Sequence, residues 1–116
     1  DYTSGVTYNI MAEELVTDRR LITRKGVIRA QVWVDTKTRV VTRYSYAYIN
    51  HDLMSGDQGR VVGFDDAHLY PGFSSKHHMH WYGVVYENTL YATQKKAEER
   101  FERFLLRLKQ QHGKNY

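Results

Sequence analysis

Between residues 15 and 87 apolar side chains recur again and again at every second position, and this two-residue period is what most restricts the fold. A strand turns successive side chains to opposite sides, so an alternating stretch buries one face only when it lies in a sheet. Five such stretches are predicted. Leu15 to Ile22 is the first, and Val27 to Asp35 the second, where Ile28, Ala30, Val32 and Val34 alternate with Arg29, Gln31 and Trp33. Lys25 and Gly26 supply the hairpin turn between them. The third runs from Arg39 to Asn50, with Val40, Tyr44, Tyr46 and Tyr48 on one face and Val41, Ala47 and Ile49 on the other. Turn-forming residues from His51 to Gly59 precede a short fourth stretch, Arg60 to Asp65. Asp66 to Ser75 contains the only proline, Pro71, and reads as an exposed loop. The fifth stretch, His77 to Glu87, sets His78, His80, Tyr82 and Val84 on one side and Met79, Trp81 and Val85 on the other.

The period then changes. Thr93 to Gln111 lacks Gly and Pro, ends just before Gly113, and repeats Ala97, Phe101, Phe104, Leu105 and Leu108 at helical spacing. That stripe is expected to pack on the sheet. Beside it Lys96, Arg100, Arg103 and Arg107 fall within roughly 60° of arc at about 100° per residue. The expected fold class is therefore α+β: a mostly antiparallel sheet of about five strands with one C-terminal helix packed across it. A chain of 116 residues leaves room for one core, placed here in residues 11–116. Residues 1–10 read as an N-terminal extension or cloning remnant, because Met11 with Ala-Glu-Glu-Leu after it resembles a translation start.

Several function classes fall away on composition. There is no cysteine, hence no disulfide framework, thiolate metal site or cysteine nucleophile. No stretch approaches the roughly 18 apolar residues that cross a bilayer, and the first ten residues lack the features of a secretion signal. A cytoplasmic protein without membrane contact is expected. A formal charge of +4 points to an anionic partner.

Histidine carries the chemistry. Four of the six histidines lie within 13 positions: His68, after Asp65 and Asp66, then His77, His78 and His80, after Lys76. Imidazole alone exchanges a proton near neutrality with an unperturbed pKa of about 6.5. Metal-free RNA cleavage needs one group to take the 2′-OH proton, another to protonate the leaving oxygen, and cations for the phosphorane charge. His78 and His80 share a strand face, Asp65 is placed to orient one of them, and Lys76 with the helix arginines is a candidate phosphate contact. Two other chemistries stay open. His78, His80 and Asp65 are also a possible ligand set for zinc or manganese, with Asp66 or His68 completing it. Alternatively the sheet, with its alternating tyrosines, and the basic helix bind nucleic acid or protein without catalysis.

The segment Arg60, Val61, Val62, Gly63, Phe64, Asp65, Asp66, Ala67, His68, followed by Lys76 to His80, resembles the TumE-like toxins of bacterial and archaeal toxin-antitoxin loci. Similarity extends to Glu14 to Trp33 and to the tyrosines between Arg43 and Ile49. The Asp-Asn pair of that family reads Asp65-Asp66 here, and the loop through Pro71 and Gly72 is longer. The resemblance implies a growth-inhibiting toxin acting on RNA, neutralised by a separately encoded helix-turn-helix antitoxin. Asp65, His78 and His80 carry over as its functional residues. Together these readings predict an endoribonuclease without a cofactor, catalytic through His78, His80, Asp65 and Lys76 and binding RNA through Lys96, Arg100, Arg103 and Arg107.

Overall fold

The structure is a computed structural model that describes residues 12–116. The assignment of residues 1–10 to an extension therefore lies outside the described residues. Six strands follow one another: β1 Glu13–Ile22, β2 Val27–Asp35, β3 Val41–Ile49, β4 Arg60–Asp65, β5 His78–Trp81 and β6 Val84–Glu87. They pair antiparallel with their sequence neighbours in the order β1-β2-β3-β4-β5-β6, and the helix α1, Gln94–His112, follows. The α+β architecture expected from the sequence is the one observed.

The sixth strand is a correction. His77 to Glu87 is not one strand but a hairpin, because Tyr82 and Gly83 both take positive φ, 47° and 85°. Two such residues between Trp81 and Val84 form the tight turn whose twist matches a two-residue hairpin. Tyr82 thus sits at the turn and does not extend the histidine face.

Cross-strand partners point to the same side of a sheet, so the register sorts the residues into two faces. Ala30, Tyr46, Phe64 and Met79 form one row and Ile28, Tyr48, Val62 and Trp81 another. These rows lie beneath α1, where Phe101 stacks on Tyr46 at 5.7 Å and Phe104 meets Phe64 and Trp81 at 6.1 and 4.9 Å. The opposite, open face carries the rows Asp18, Gln31, Ser45, Asp65, His78 and Arg20, Arg29, Ala47, Gly63, His80. Tyr44, Tyr46 and Tyr48 are 2%, 2% and 0% exposed, so they are core under the helix and offer no base-stacking platform.

The helix begins and ends on side-chain and backbone caps. Thr93 Oγ1 accepts from the Lys96 amide at 3.1 Å, and Gly113, at φ 54°, donates its N–H to the Lys109 carbonyl. Ala97, Phe101 and Leu108 are fully buried, whereas Phe104 and Leu105 are only half-buried at the edge of the contact. Arg103 and Arg107 are exposed. Arg100 is not: half-buried, it lies 5.1 and 5.0 Å over the rings of Tyr91 and Phe104. Among the described residues no helix is long and apolar enough to cross a membrane.

This packing ranks the phenylalanines. Phe101→Ala is expected to cost about 3–5 kcal/mol in urea denaturation, the usual range for a fully buried ring. Phe104→Ala should cost less. An equal or larger loss at Phe104 would show that the helix is rotated from the orientation described.

Candidate functional site

Asp65 ends β4 and His78 begins β5, directly paired, while His80 follows two residues on and so shares their face. Period two on β5 puts His77 on the helix side, where its Nδ1 lies 2.8 Å from the Tyr44 hydroxyl and its ring stacks on that of Tyr44. Three chemically active groups thereby converge on the open face. The His78 Nε2 is 2.8 Å from Asp65 Oδ1, and the His80 Nε2 is 3.7 Å from Asp65 Oδ2.

Both rings are oriented from behind. His78 Nδ1 donates to the Lys76 carbonyl at 2.9 Å, and His80 Nδ1 donates to Asp57 Oδ2 at 3.2 Å. With each Nδ1 holding the proton, the neutral rings turn the lone pairs of both Nε2 atoms toward Asp65. His78 and His80 are 0% and 3% exposed, covered in part by Tyr70, whose ring sits 4.8 Å from that of His78. His78 Nε2 makes no hydrogen bond in this arrangement, since the Asp65 oxygen lies close to it but off the direction of a ring N–H. One donor atom each from Asp65, His78 and His80 lies within 4.8 Å of the others, a set able to hold a divalent ion.

The charges follow from these contacts. Burial alone would raise the Asp65 carboxyl, but the imidazoles of His78 and His80 and the Ala67 amide outweigh it and hold the group well below the usual carboxylate range. Burial likewise opposes the His78 imidazolium, yet Asp65 and the Lys76 carbonyl overcome it and raise its pKa.

Two further residues complete the cluster. Arg60 pairs with Asp57 at 2.9 Å and reaches within 3.8 Å of Asp65 Oδ2. Arg60 and Asp65 are five positions apart, so strict alternation would send them to opposite faces. The register slips between Tyr48 and Ile49, leaving Val61 as an extra residue, and Arg60 pairs with Ile49 on the open side. Gly63 makes room for it, because a Cβ there would stand 2.8 Å from Arg60 Cδ. Neither Arg60 nor Asp57 is marked by the sequence pattern; the isolated glycine within β4 is the one signal of a bulge or close approach.

The site opens into a cavity of about 340 Å³ lined also by Gln31, Trp33, Arg43, His68 and Tyr70. Arg43 lies 3.9 Å over the Trp33 ring. Of the other expected residues, Lys76 is exposed and takes part through its carbonyl. Asp66 accepts from the Tyr44 amide at 3.0 Å and does not join the donor set. Lys96, Arg100 and Arg103 line a separate cavity on the helix side with Leu90 and Tyr91, and Arg107 lies over Phe104. They are therefore separated from the histidines by the sheet, which corrects the expectation that helix arginines neutralise a phosphate at His78 and His80. A helix packed on the apolar face cannot present its flank to the polar one. Comparison with protein-family models finds no match, and neither the curated proteins nor the solved structures contain one.

The paired charges set a pH profile for the metal-free protein. Because the folded His78 pKa is raised, its stabilisation is complete below about pH 6.5 and is lost as pH rises beyond it. Because the folded Asp65 pKa is depressed, its stabilisation is complete above about pH 4 and is lost on acidification. Urea denaturation in excess chelator should show both limbs, with His78→Asn flattening the upper one. A parent protein whose stability does not change between pH 6 and 9 would contradict the pairing.

Proposed function

We propose that the protein is a growth-inhibiting toxin that cleaves RNA on the open face of its sheet, at Asp65, His78 and His80. The observation that carries this reading is the setting of the cluster: two imidazoles and a carboxylate at the base of a cavity flanked by Arg43, Arg60 and Trp33. Arg43 and Arg60 offset the charge of a bound phosphate, as phosphodiester chemistry requires. Trp33, half-buried beneath Arg43, offers the stacking surface for an unpaired base that the buried tyrosines do not. Arg20 and Arg29 continue the cationic row along the same face and give a single strand a path away from the site.

The resemblance of Arg60 to His68 and Lys76 to His80 to TumE-like toxins supports RNA as substrate and a helix-turn-helix antitoxin as partner. It also supports the cytoplasm as the place of action. The helix cations Lys96, Arg100, Arg103 and Arg107 take no part at the scissile phosphate in this reading. Nor does the geometry favour His78 and His80 as free acid and base, since both rings are buried and both Nε2 atoms face Asp65. That burial favours a second reading, RNA binding without cleavage.

Incubation of the purified protein with labelled single-stranded RNA separates the two. The parent should cleave, and His80→Ala, which removes one group of the cluster, should abolish detectable cleavage while circular dichroism shows a folded chain. Induced expression should arrest growth with the parent and not with the variant. Arg43→Glu should weaken RNA binding and reduce the salt slope by about 0.7, the single-strand value for one phosphate contact. A folded His80→Ala protein that cleaves and arrests growth as the parent does would refute the assignment.

A further inference from the structure

We propose that Asp65, His78 and His80 form a binding site for one divalent transition-metal ion, held by a carboxylate oxygen and the two Nε2 atoms. The first ground is the direction of the rings. Each Nδ1 donates to an oxygen behind it, the Lys76 carbonyl or the Asp57 carboxylate, so that two lone pairs and a carboxylate are aimed at one another inside the protein. Acceptors crowded together away from water repel unless a cation lies between them. A backbone carbonyl or a carboxylate behind a histidine is also the arrangement that fixes a metal-ligating imidazole.

The second ground is that, once the Nε2 proton is gone, the protein supplies no adequate partner of its own. His78 Nε2 is enclosed and makes no hydrogen bond. Asp65 Oδ2 has only long contacts, 3.7 Å to His80 Nε2 and 3.8 Å to Arg60 Nη1. Ligands about 2.0–2.2 Å from a common ion stand about 3–3.5 Å apart; His78 Nε2 lies 2.8 Å from Asp65 Oδ1, His80 Nε2 lies 3.7 Å from Asp65 Oδ2, and the three ligand atoms all fall within 4.8 Å, so side-chain shifts of about 1 Å close them on one ion.

Charge and ligand type then choose the ion. A dication takes the place of a proton on His78 Nε2 beside Asp65, and with the imidazoles acting as neutral ligands Asp65 and Asp57 against Arg60 leave one net negative charge to meet it. Two imidazoles select a first-row transition ion over magnesium or calcium, whose ligands are oxygens. Three protein ligands leave a coordination position open toward the cavity, as reactive centres do and closed structural sites do not. An ion held there would supply the chemistry of activating water and polarising a phosphoryl oxygen. Its use on RNA rests on the ribonuclease reading; its binding does not. Asp57 is a positioning residue that acts through His80.

Metal-stripped protein titrated with Co²⁺ should bind one ion per chain, with visible absorption typical of nitrogen and oxygen ligation. Zn²⁺ added to ¹⁵N-histidine-labelled protein should move the Nε2 resonances of His78 and His80 and leave their Nδ1 protons in place. His78→Ala and His80→Ala should each weaken Co²⁺ binding at least about 100-fold, and Asp57→Asn by about 10–100-fold with the stoichiometry unchanged. His77→Ala should bind as the parent does. The labelled parent decides the matter even if a variant fails to fold. Resonance changes confined to His51, His68 or His112, or no saturable binding, would overturn the site. Stoichiometric binding without RNA cleavage would keep the metal centre and refute the ribonuclease reading. Cleavage by fully metal-free protein would keep the ribonuclease reading and refute the ion's part in it.

Discussion

Two imidazoles turned toward a single buried carboxylate are the constraint around which the polar side of this molecule is arranged. Burying Asp65 is costly unless positive charge meets it, and the cost is offset only because β4 and β5 pair in the register that sets His78 opposite it and His80 beside it. Everything nearby serves that meeting. The Lys76 carbonyl and Asp57 fix the two rings, and Arg60 balances Asp57. The bulge at Val61 returns Arg60 to the open face, and Gly63 leaves space for its stem. A one-residue slip between β4 and β5 would send both histidines into the helix contact and dismantle the cluster.

The two faces of the sheet divide the work between them. On one, tyrosines, Phe64 and Met79 pack under Ala97, Phe101 and Leu108, and this apolar contact supplies the rigid backing. On the other, the rows that reach Asp65, His78 and His80 also carry Gln31, Ser45, Arg29 and Arg20. A site built on paired strands is held more firmly than one built on loops, and here Asp65, His78, His80 and Arg60 stand on strands while Asp57, His68, Tyr70 and the Lys76 carbonyl come from connecting segments. The loop that bears Tyr70 lays its ring 4.8 Å from that of His78.

How far the sequence reveals this depends on which local rule is at work. Strand alternation is reliable where nothing interrupts it, so the shared face of His78 and His80 and the turning away of His77 follow directly from the period, while Asp65 joins them through the β4–β5 register. Helix periodicity from Thr93 to Gln111, with Gly113 beyond its end, places α1 to within a residue at each end. What alternation cannot see is its own interruption. The turn at Tyr82 and Gly83 lacks the asparagine that usually announces such a hairpin, so two strands read as one. The bulge at Val61 reverses parity within β4 and hides Arg60. The basic helix stripe misleads for another reason: its position around the helix is legible, but the face of the sheet on which the helix lands is decided by long-range packing of Tyr46, Phe64 and Trp81.

If RNA is handled at this cluster, it must lie on the open face and not along the helix. The most direct measurement is a ¹⁵N–¹H amide titration of the protein with a short, noncleavable single-stranded RNA carrying 2′-O-methyl groups. Shifts concentrated at Gln31, Trp33, Arg43, Ser45, Arg60 and Tyr70, with Lys96, Arg103 and Arg107 little changed, are the expected result. Shifts concentrated on Lys96, Arg100, Arg103 and Arg107, with the open face unmoved, would contradict it.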